Sequence, residues 1–172
     1  MSLLTNDYII FLDFDGVLNH IGIKNEKDFL PEAIEVLNEL HKKYQAKIVI
    51  SSSWRTCYTM KDLSDLLKKH GCECEVIDKT AEYVGEYSSS QDVFLSEEEF
   101  YKGLGEFEGR NKEIIHYVRV HDIKHYVILD DLPFTNQELI PHCVTTCYFD
   151  TKNGGLRKHH LIEIEKIFSL DN

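Results

Sequence analysis

The chain has 172 residues, enough to bury one sizeable core without disulfide or metal staples. Its 42% hydrophobic and 28% charged residues are ordinary for a globular domain, and a net charge of −11 argues against tight, purely electrostatic capture of nucleic acid, though not against a strand end or nucleotide held by a local basic pocket and a metal. No apolar run is long enough to span a bilayer and the N-terminus lacks a secretory core, so a cytoplasmic protein without a membrane partner is expected.

The first element in chain order is Tyr8-Ile9-Ile10-Phe11-Leu12, an uncharged β-branched and aromatic run that predicts a strand buried on both faces of a parallel sheet. It delivers Asp13-Phe14-Asp15-Gly16-Val17-Leu18-Asn19-His20. Residues two apart on a strand point the same way, so Asp13 and Asp15 can both aim into the crevice at its carboxyl end, where open α/β sheets bind ligands. Gly16 permits the chain's sharp departure. Carboxylates this close need a cation or a shared proton, and a divalent metal with oxygen ligands, Mg²⁺ by default, meets that need. Asp-x-Asp-Gly alone is also an ordinary turn, and only the rest of the chain weighs against that reading.

Residues 17–29 show no period and read as a loop or small flap. Pro31 starts a helix that runs to about Tyr44, with Ala33, Ile34, Leu37, Leu40 and Tyr44 at helical spacing. Lys47-Ile48-Val49-Ile50 is a second buried strand, ending in Ser51-Ser52-Ser53-Trp54-Arg55. Hydroxyls at that place suit an anion, and Arg55 adds a fork-shaped donor for a substrate phosphate. Ser52 and Ser53 serve equally well as N-caps of the next helix, which carries Leu63, Leu66 and Leu67; Trp54 is assigned to packing. That helix closes at His70-Gly71, and Glu75–Asp78 makes a short third strand. From Lys79 to Gly109 the pattern dissolves into a loop-rich insertion near the crevice, its acidity read as a solvated face.

Gly109-Arg110-Asn111-Lys112 opens a third helix with Ile114, Ile115 and Val118 as its stripe. Cations at a helix N-terminus suit the helix poorly and a docked phosphate well, so Arg110 and Lys112 are candidates, a plain surface lysine being the alternative. His125–Leu129 is another buried strand and ends in a second acid pair, Asp130-Asp131. Val144 to Phe149 gives the last strand, Asn153-Gly154-Gly155 a turn, and Leu161, Ile164, Ile167 and Phe168 a closing helix. The five cysteines, odd in number and without Cys-x-x-Cys spacing, read as small buried hydrophobes rather than disulfides or zinc ligands. The elements sum to an α/β fold: a three-layer Rossmann-like parallel sheet of about five strands, helices on both faces and a minimal cap. One domain spans residues 1–172, with the insertion at about 79–109.

Taken in order, Asp13-x-Asp15-Gly16-Val17, Ser51 after a buried strand, a lysine opening a helix, and Asp130-Asp131 resemble the four motifs of the haloacid dehalogenase (HAD) superfamily, over about residues 8–150. Ser52-Ser53-Trp54-Arg55, Ile128-Leu129-Asp130-Asp131 and Gly154-Gly155-Leu156 are similar to small bacterial HAD domains whose relatives occur in multifunctional RNA-repair proteins. The resemblance implies a Mg²⁺-dependent phosphomonoester hydrolase. Asp13 is then the nucleophile that forms an aspartyl-phosphate, and Asp15 the general acid and later base. Mg²⁺ falls to Asp13, the backbone carbonyl of Asp15 and one or both of Asp130 and Asp131. Ser51, with Ser52 beside it, and Lys112, or Arg110 in its place, hold phosphate oxygens. Without a large cap the implied site is open to a polynucleotide end or a phosphoprotein as well as to a nucleotide or sugar phosphate. A receiver-like domain that accepts a phosphoryl group without turnover is the competing class, disfavoured because receivers carry adjacent acids on the first strand. An idle scaffold that only binds is the third.

Overall fold

The computed structural model describes residues 4–82 and 106–170. Five strands form one parallel sheet in the order β3-β2-β1-β4-β5. They are β1 (Tyr8–Leu12), β2 (Lys47–Ile50), β3 (Val76–Lys79), β4 (His125–Asp130) and β5 (Cys143–Thr145). The α-helices are α1 (Pro31–Tyr44), α2 (Met60–Lys69), α3 (Glu106–His121) and α4 (Leu161–Phe168). The α/β architecture with helices on both faces is the one the sequence predicts. Among the described residues, no helix is long and apolar enough to cross a membrane.

The period of two along each strand divides the core. Ile10, Leu12, Ile48, Ile50, Val127 and Leu129 pack with α1, α2 and α4 on one face. Ile9, Phe11, Val49, Tyr126 and Ile128 pack with Ile114 and Tyr117 of α3 on the other. β1 lies at the centre because every residue from Ile9 to Leu12 is apolar and can be buried on both sides. Leu12 pairs with Ile50 on one flank and Leu129 on the other, so β1, β2 and β4 end level. Continuing the alternation, Asp13, Ser51 and Asp130 fall on the α3 face at that height.

This strand order gives the first five strands of the doubly wound arrangement and differs from the 2-1-3-4-5 order of receiver-type sheets. The chain reverses direction across the sheet between β1 and β4, and the crevice there is flanked by Asp13 and Asp130.

Several boundaries differ from the reading of the sequence. α2 is capped by a reciprocal Thr59–Asp62 box, while Ser52 caps a separate 3₁₀ turn, Ser53–Thr56. β3 extends through Lys79 and α3 begins at Glu106, so both ends of the expected insertion belong to regular elements; its residues 83–105 lie outside the described residues. β5 stops at Thr145 rather than Phe149, because beyond Thr146 the chain leaves the sheet and the Tyr148 carbonyl accepts from Ile21 N instead. Cys72 and Cys74 are buried as expected, but Cys57 and Cys147 are exposed and Cys143 is half-buried; all five are free thiols.

Candidate active site at the carboxyl end of the sheet

Asp13, Asp130 and Asp131 meet at the crevice, each offering a carboxylate oxygen within 4.8 Å of the others. The backbone fixes two of these acids: Asp13 Oδ1 accepts from Phe14 N at 2.8 Å and Asp130 Oδ1 from Leu132 N at 3.0 Å. Arg110, from the second turn of α3, reaches the same point, and its Nη1 donates to Asp13 Oδ2 at 2.9 Å and Asp130 Oδ2 at 2.8 Å. Burial pulls the guanidinium's pKa down, but the carboxylates of Asp13 and Asp130 outweigh it and hold the charge above its ordinary range. Burial, then the charge of Asp13, pushes Asp130 up to about 7 and Asp131 up to about 6. Three carboxylates against one guanidinium leave a formal charge of −2 when all are ionised. The cluster is therefore short of positive charge and rich in oxygen donors, which fits a hard divalent cation such as Mg²⁺.

Asp15 lies beside this cluster, and both its oxygens are held. Asn19 Nδ2 donates to Oδ1 at 2.9 Å and Trp54 Nε1 to Oδ2 at 2.7 Å. Just after the two acids of the first motif the chain turns through Gly16 at φ +73°, where a Cβ would come within 2.4 Å of the Asp131 side chain. A non-glycine residue would need both a disfavoured backbone conformation and the space Asp131 occupies. Thr146, just past β5, donates from Oγ1 to the Gly16 carbonyl at 2.6 Å and fastens this turn.

Ser51 follows β2 beside Asp13, its N donating to the Leu12 carbonyl at 3.0 Å. Its hydroxyl is fully buried and has no hydrogen-bond partner among the described residues. Such a group costs stability unless something donates to it or accepts from it, which a phosphate oxygen can do. Ser52 is committed to its cap, Oγ accepting from Trp54 N at 3.4 Å. Ser53 is exposed. Arg55 is buried and donates to the carbonyls of Thr80 (3.1 Å), Ser51 (2.8 Å) and Ser52 (2.6 Å), with Nη2 on Glu113 of α3. Its fork is thus turned onto the protein's own backbone. Lys112 is half-buried, two residues beyond Arg110, and residues two apart on a helix do not share a face.

Asp13, Asp130, Asp131 and Arg110 are thus brought to one point, with Asp15 and Ser51 adjoining it. The sequence reading passed over Asn19, Glu113 and Thr146, and gave Trp54 only a packing role. Trp54 does pack, with its ring centroid 5.4 Å from Phe14, but it also donates to Asp15. A buried indole N–H usually finds an acceptor, and that rule was the available signal.

The arrangement offers an oxygen nucleophile, a second carboxylate held by neutral donors, an unpartnered hydroxyl and an arginine: a set suited to phosphoryl transfer. A family model described as the HAD domain in Swiss Army Knife RNA repair proteins matches residues 9–159. No curated protein and no solved structure matches the chain.

Proposed function

The chain belongs to the family of HAD domains in Swiss Army Knife RNA repair proteins, a phosphohydrolase type in general, and from that premise we propose a Mg²⁺-dependent phosphomonoesterase acting through an aspartyl-phosphate on Asp13. The observation that carries this reading is the meeting of Asp13, Asp130 and Asp131 with Arg110 at the switch point of the sheet.

Asp13 attacks phosphorus, and the bond from phosphorus to the ester oxygen breaks as the new one forms. Asp15 gives a proton to the departing oxygen, then removes one from the water that attacks the aspartyl-phosphate; the bond to Asp13 breaks and inorganic phosphate leaves. Ser51 Oγ donates to a phosphate oxygen, and Arg110 steadies Asp13 while facing the charge that develops beside it. Arg110 takes the third-motif role in preference to Lys112 because its guanidinium already touches Asp13. A Mg²⁺ held by Asp13, Asp130 and Asp131, with Asp15 adjoining, supplies screening between the nucleophile and the incoming phosphate.

The substrate class we favour is a nucleotide or a phosphorylated nucleic-acid end. The family's setting in RNA repair proteins points toward nucleic acid, and the net charge of −11 favours recognition of an end over a grip along a polyanion. The test is steady hydrolysis of p-nitrophenyl phosphate with Mg²⁺, lost in Asp13→Asn, followed by a panel of 5′- and 3′-phosphorylated oligonucleotides, nucleotides, sugar phosphates and phosphopeptides. Stoichiometric labelling without turnover would replace the hydrolase with a phosphoacceptor. A preference for sugar phosphates or phosphopeptides would keep the chemistry and discard the substrate class.

A further inference from the structure

We infer that Trp54, together with Asn19, is a positioning residue for Asp15, fixing the direction from which that carboxyl serves the leaving group; this rests on the phosphohydrolase reading. Each Asp15 oxygen accepts one hydrogen bond, Oδ2 from the Trp54 indole at 2.7 Å and Oδ1 from the Asn19 amide at 2.9 Å. Neither donor is free to wander. Trp54 is 8% exposed, with Phe14 at 5.4 Å and Tyr58 at 5.6 Å between ring centroids. The Asn19 amide also donates to the Glu26 carbonyl at 3.0 Å, and its Oδ1 accepts from Gly16 N at 3.1 Å. The two donors therefore pin the carboxyl plane from two different segments. A proton carried by Asp15 must then sit on one of the two lone pairs, one on each oxygen, that neither donor uses, which halves the directions open to it. A general acid acts only when its proton is within hydrogen-bond reach of the departing oxygen, so this pinning bears on rate and not on binding.

The leaving group exposes the effect. A p-nitrophenolate departs with little help, whereas the alkoxide of a nucleoside needs the proton. Trp54→Phe keeps an aromatic ring and removes the N–H. With Mg²⁺ present, it is expected to change kcat/KM, which reports ester cleavage and not the later hydrolysis of the aspartyl-phosphate common to both esters, by less than about threefold on p-nitrophenyl phosphate and to lower it by about 10- to 100-fold on a 3′- or 5′-phosphorylated oligonucleotide, part of the ~10²–10⁴-fold that acid–base catalysis supplies. A structural defect lowers both rates together, and equal losses on the two esters would overturn the inference.

A second measurement keeps the indole in place. Trp54 is the chain's one tryptophan, so ¹⁵N-labelled protein gives a single indole N–H signal. Asp15→Asn replaces the charged acceptor and is expected to move that signal upfield and speed its exchange with solvent. An unmoved signal would overturn the inference even if Trp54→Phe does not fold. A signal moved by Asp15→Asn, when the wild-type protein hydrolyses neither ester, would instead overturn the phosphohydrolase reading, and the inference with it.

Discussion

Arg110 and Arg55 are both 6% exposed and both lie at the carboxyl end of the sheet, yet their surroundings differ. Arg110 faces Asp13 and Asp130, with Asp131 close by, so negative charge exceeds positive there. Among the described residues, Arg55 faces three backbone carbonyls and one acid, Glu113, with which it forms an ion pair. A balanced, hydrogen-bonded charge ties β2, β3 and α3 together. An unbalanced one leaves a place for something else, at some expense to stability, as is common where a fold keeps its chemistry. On this contrast, substitutions around Arg110 should change activity more than folding, and substitutions around Arg55 the reverse.

The sharpest test is Asp13→Asn. It removes the nucleophile, so kcat on p-nitrophenyl phosphate should fall by at least ~10³-fold. It also removes a charge that pushes the pKa values of Asp130 and Asp131 upward, so the melting temperature should hold or rise. Activity lost together with stability would erase the distinction between the two arginines. Arg55→Met is the mirror experiment. Breaking a buried ion pair by removing one partner typically costs about 3–5 kcal/mol, which urea unfolding would read directly. Adding Glu113→Leu should recover part of that loss, because the second charge then leaves with the first.

The two regions were also unequally legible. Asp13, Asp130 and Ser51 could be found because each ends an apolar run, and a period of two tells which way a side chain leaves the sheet. Arg110 was visible as a cation thought to open its helix, but α3 begins at Glu106, so Arg110 lies in the second turn and its reach to Asp13 and Asp130, not the helix dipole, accounts for it. The fold class followed from the same apolar runs alternating with helical stripes. The Arg55 frame was not legible, since its partners Thr80 and Glu113 lie 25 and 58 residues away and nothing local says that a guanidinium will take carbonyls rather than phosphate. The Trp54 contact with Asp15, 39 residues apart, was hidden for the same reason. Helix and strand ends slipped by a few residues where caps decided them, as when Thr59 took the place expected for Ser52 or Ser53.

The charge imbalance can also be read through pH. Asp130 at about 7 and Asp131 at about 6 lie above the ordinary carboxyl value, so between roughly pH 4 and 7 the folded chain holds protons that the unfolded chain has released. Their effect is to make the metal-free protein less stable as pH rises through that window, by up to about 1.4 kcal/mol per pH unit for one proton. Mg²⁺ competes with the same protons, so its stabilisation should grow over the same range, to about 2.7 kcal/mol at a hundred times its Kd. Thermal scans from pH 5 to 8, with and without Mg²⁺, should therefore diverge, and Asp130→Asn should bring them together. Arg55→Met leaves the acid cluster intact, so its scans, though shifted to lower temperature, should still diverge with pH as the wild type's do.

The smallest effect separates the two regions most finely, because it concerns a neutral bond. Thr146 Oγ1 donates to the Gly16 carbonyl at 2.6 Å across 130 residues of sequence, fastening the first-motif turn to the end of β5. Thr146→Val keeps the shape and removes one hydrogen bond, which should cost about 1 kcal/mol, less than the loss of the Arg55 pair. Yet the turn it releases carries Gly16, which packs against Asp131, and lies between Asp13 and Asp15 on one side and Asn19 on the other. A loosened turn shifts the acid cluster and the Asp15 grip together. The variant should thus weaken Mg²⁺ binding and kcat by a few-fold, out of proportion to its small stability loss. If stability falls by about 1 kcal/mol and Mg²⁺ affinity and kcat stay at wild-type values, the turn is scaffold like Arg55, and the region that answers to chemistry is confined to the acids and Arg110 themselves.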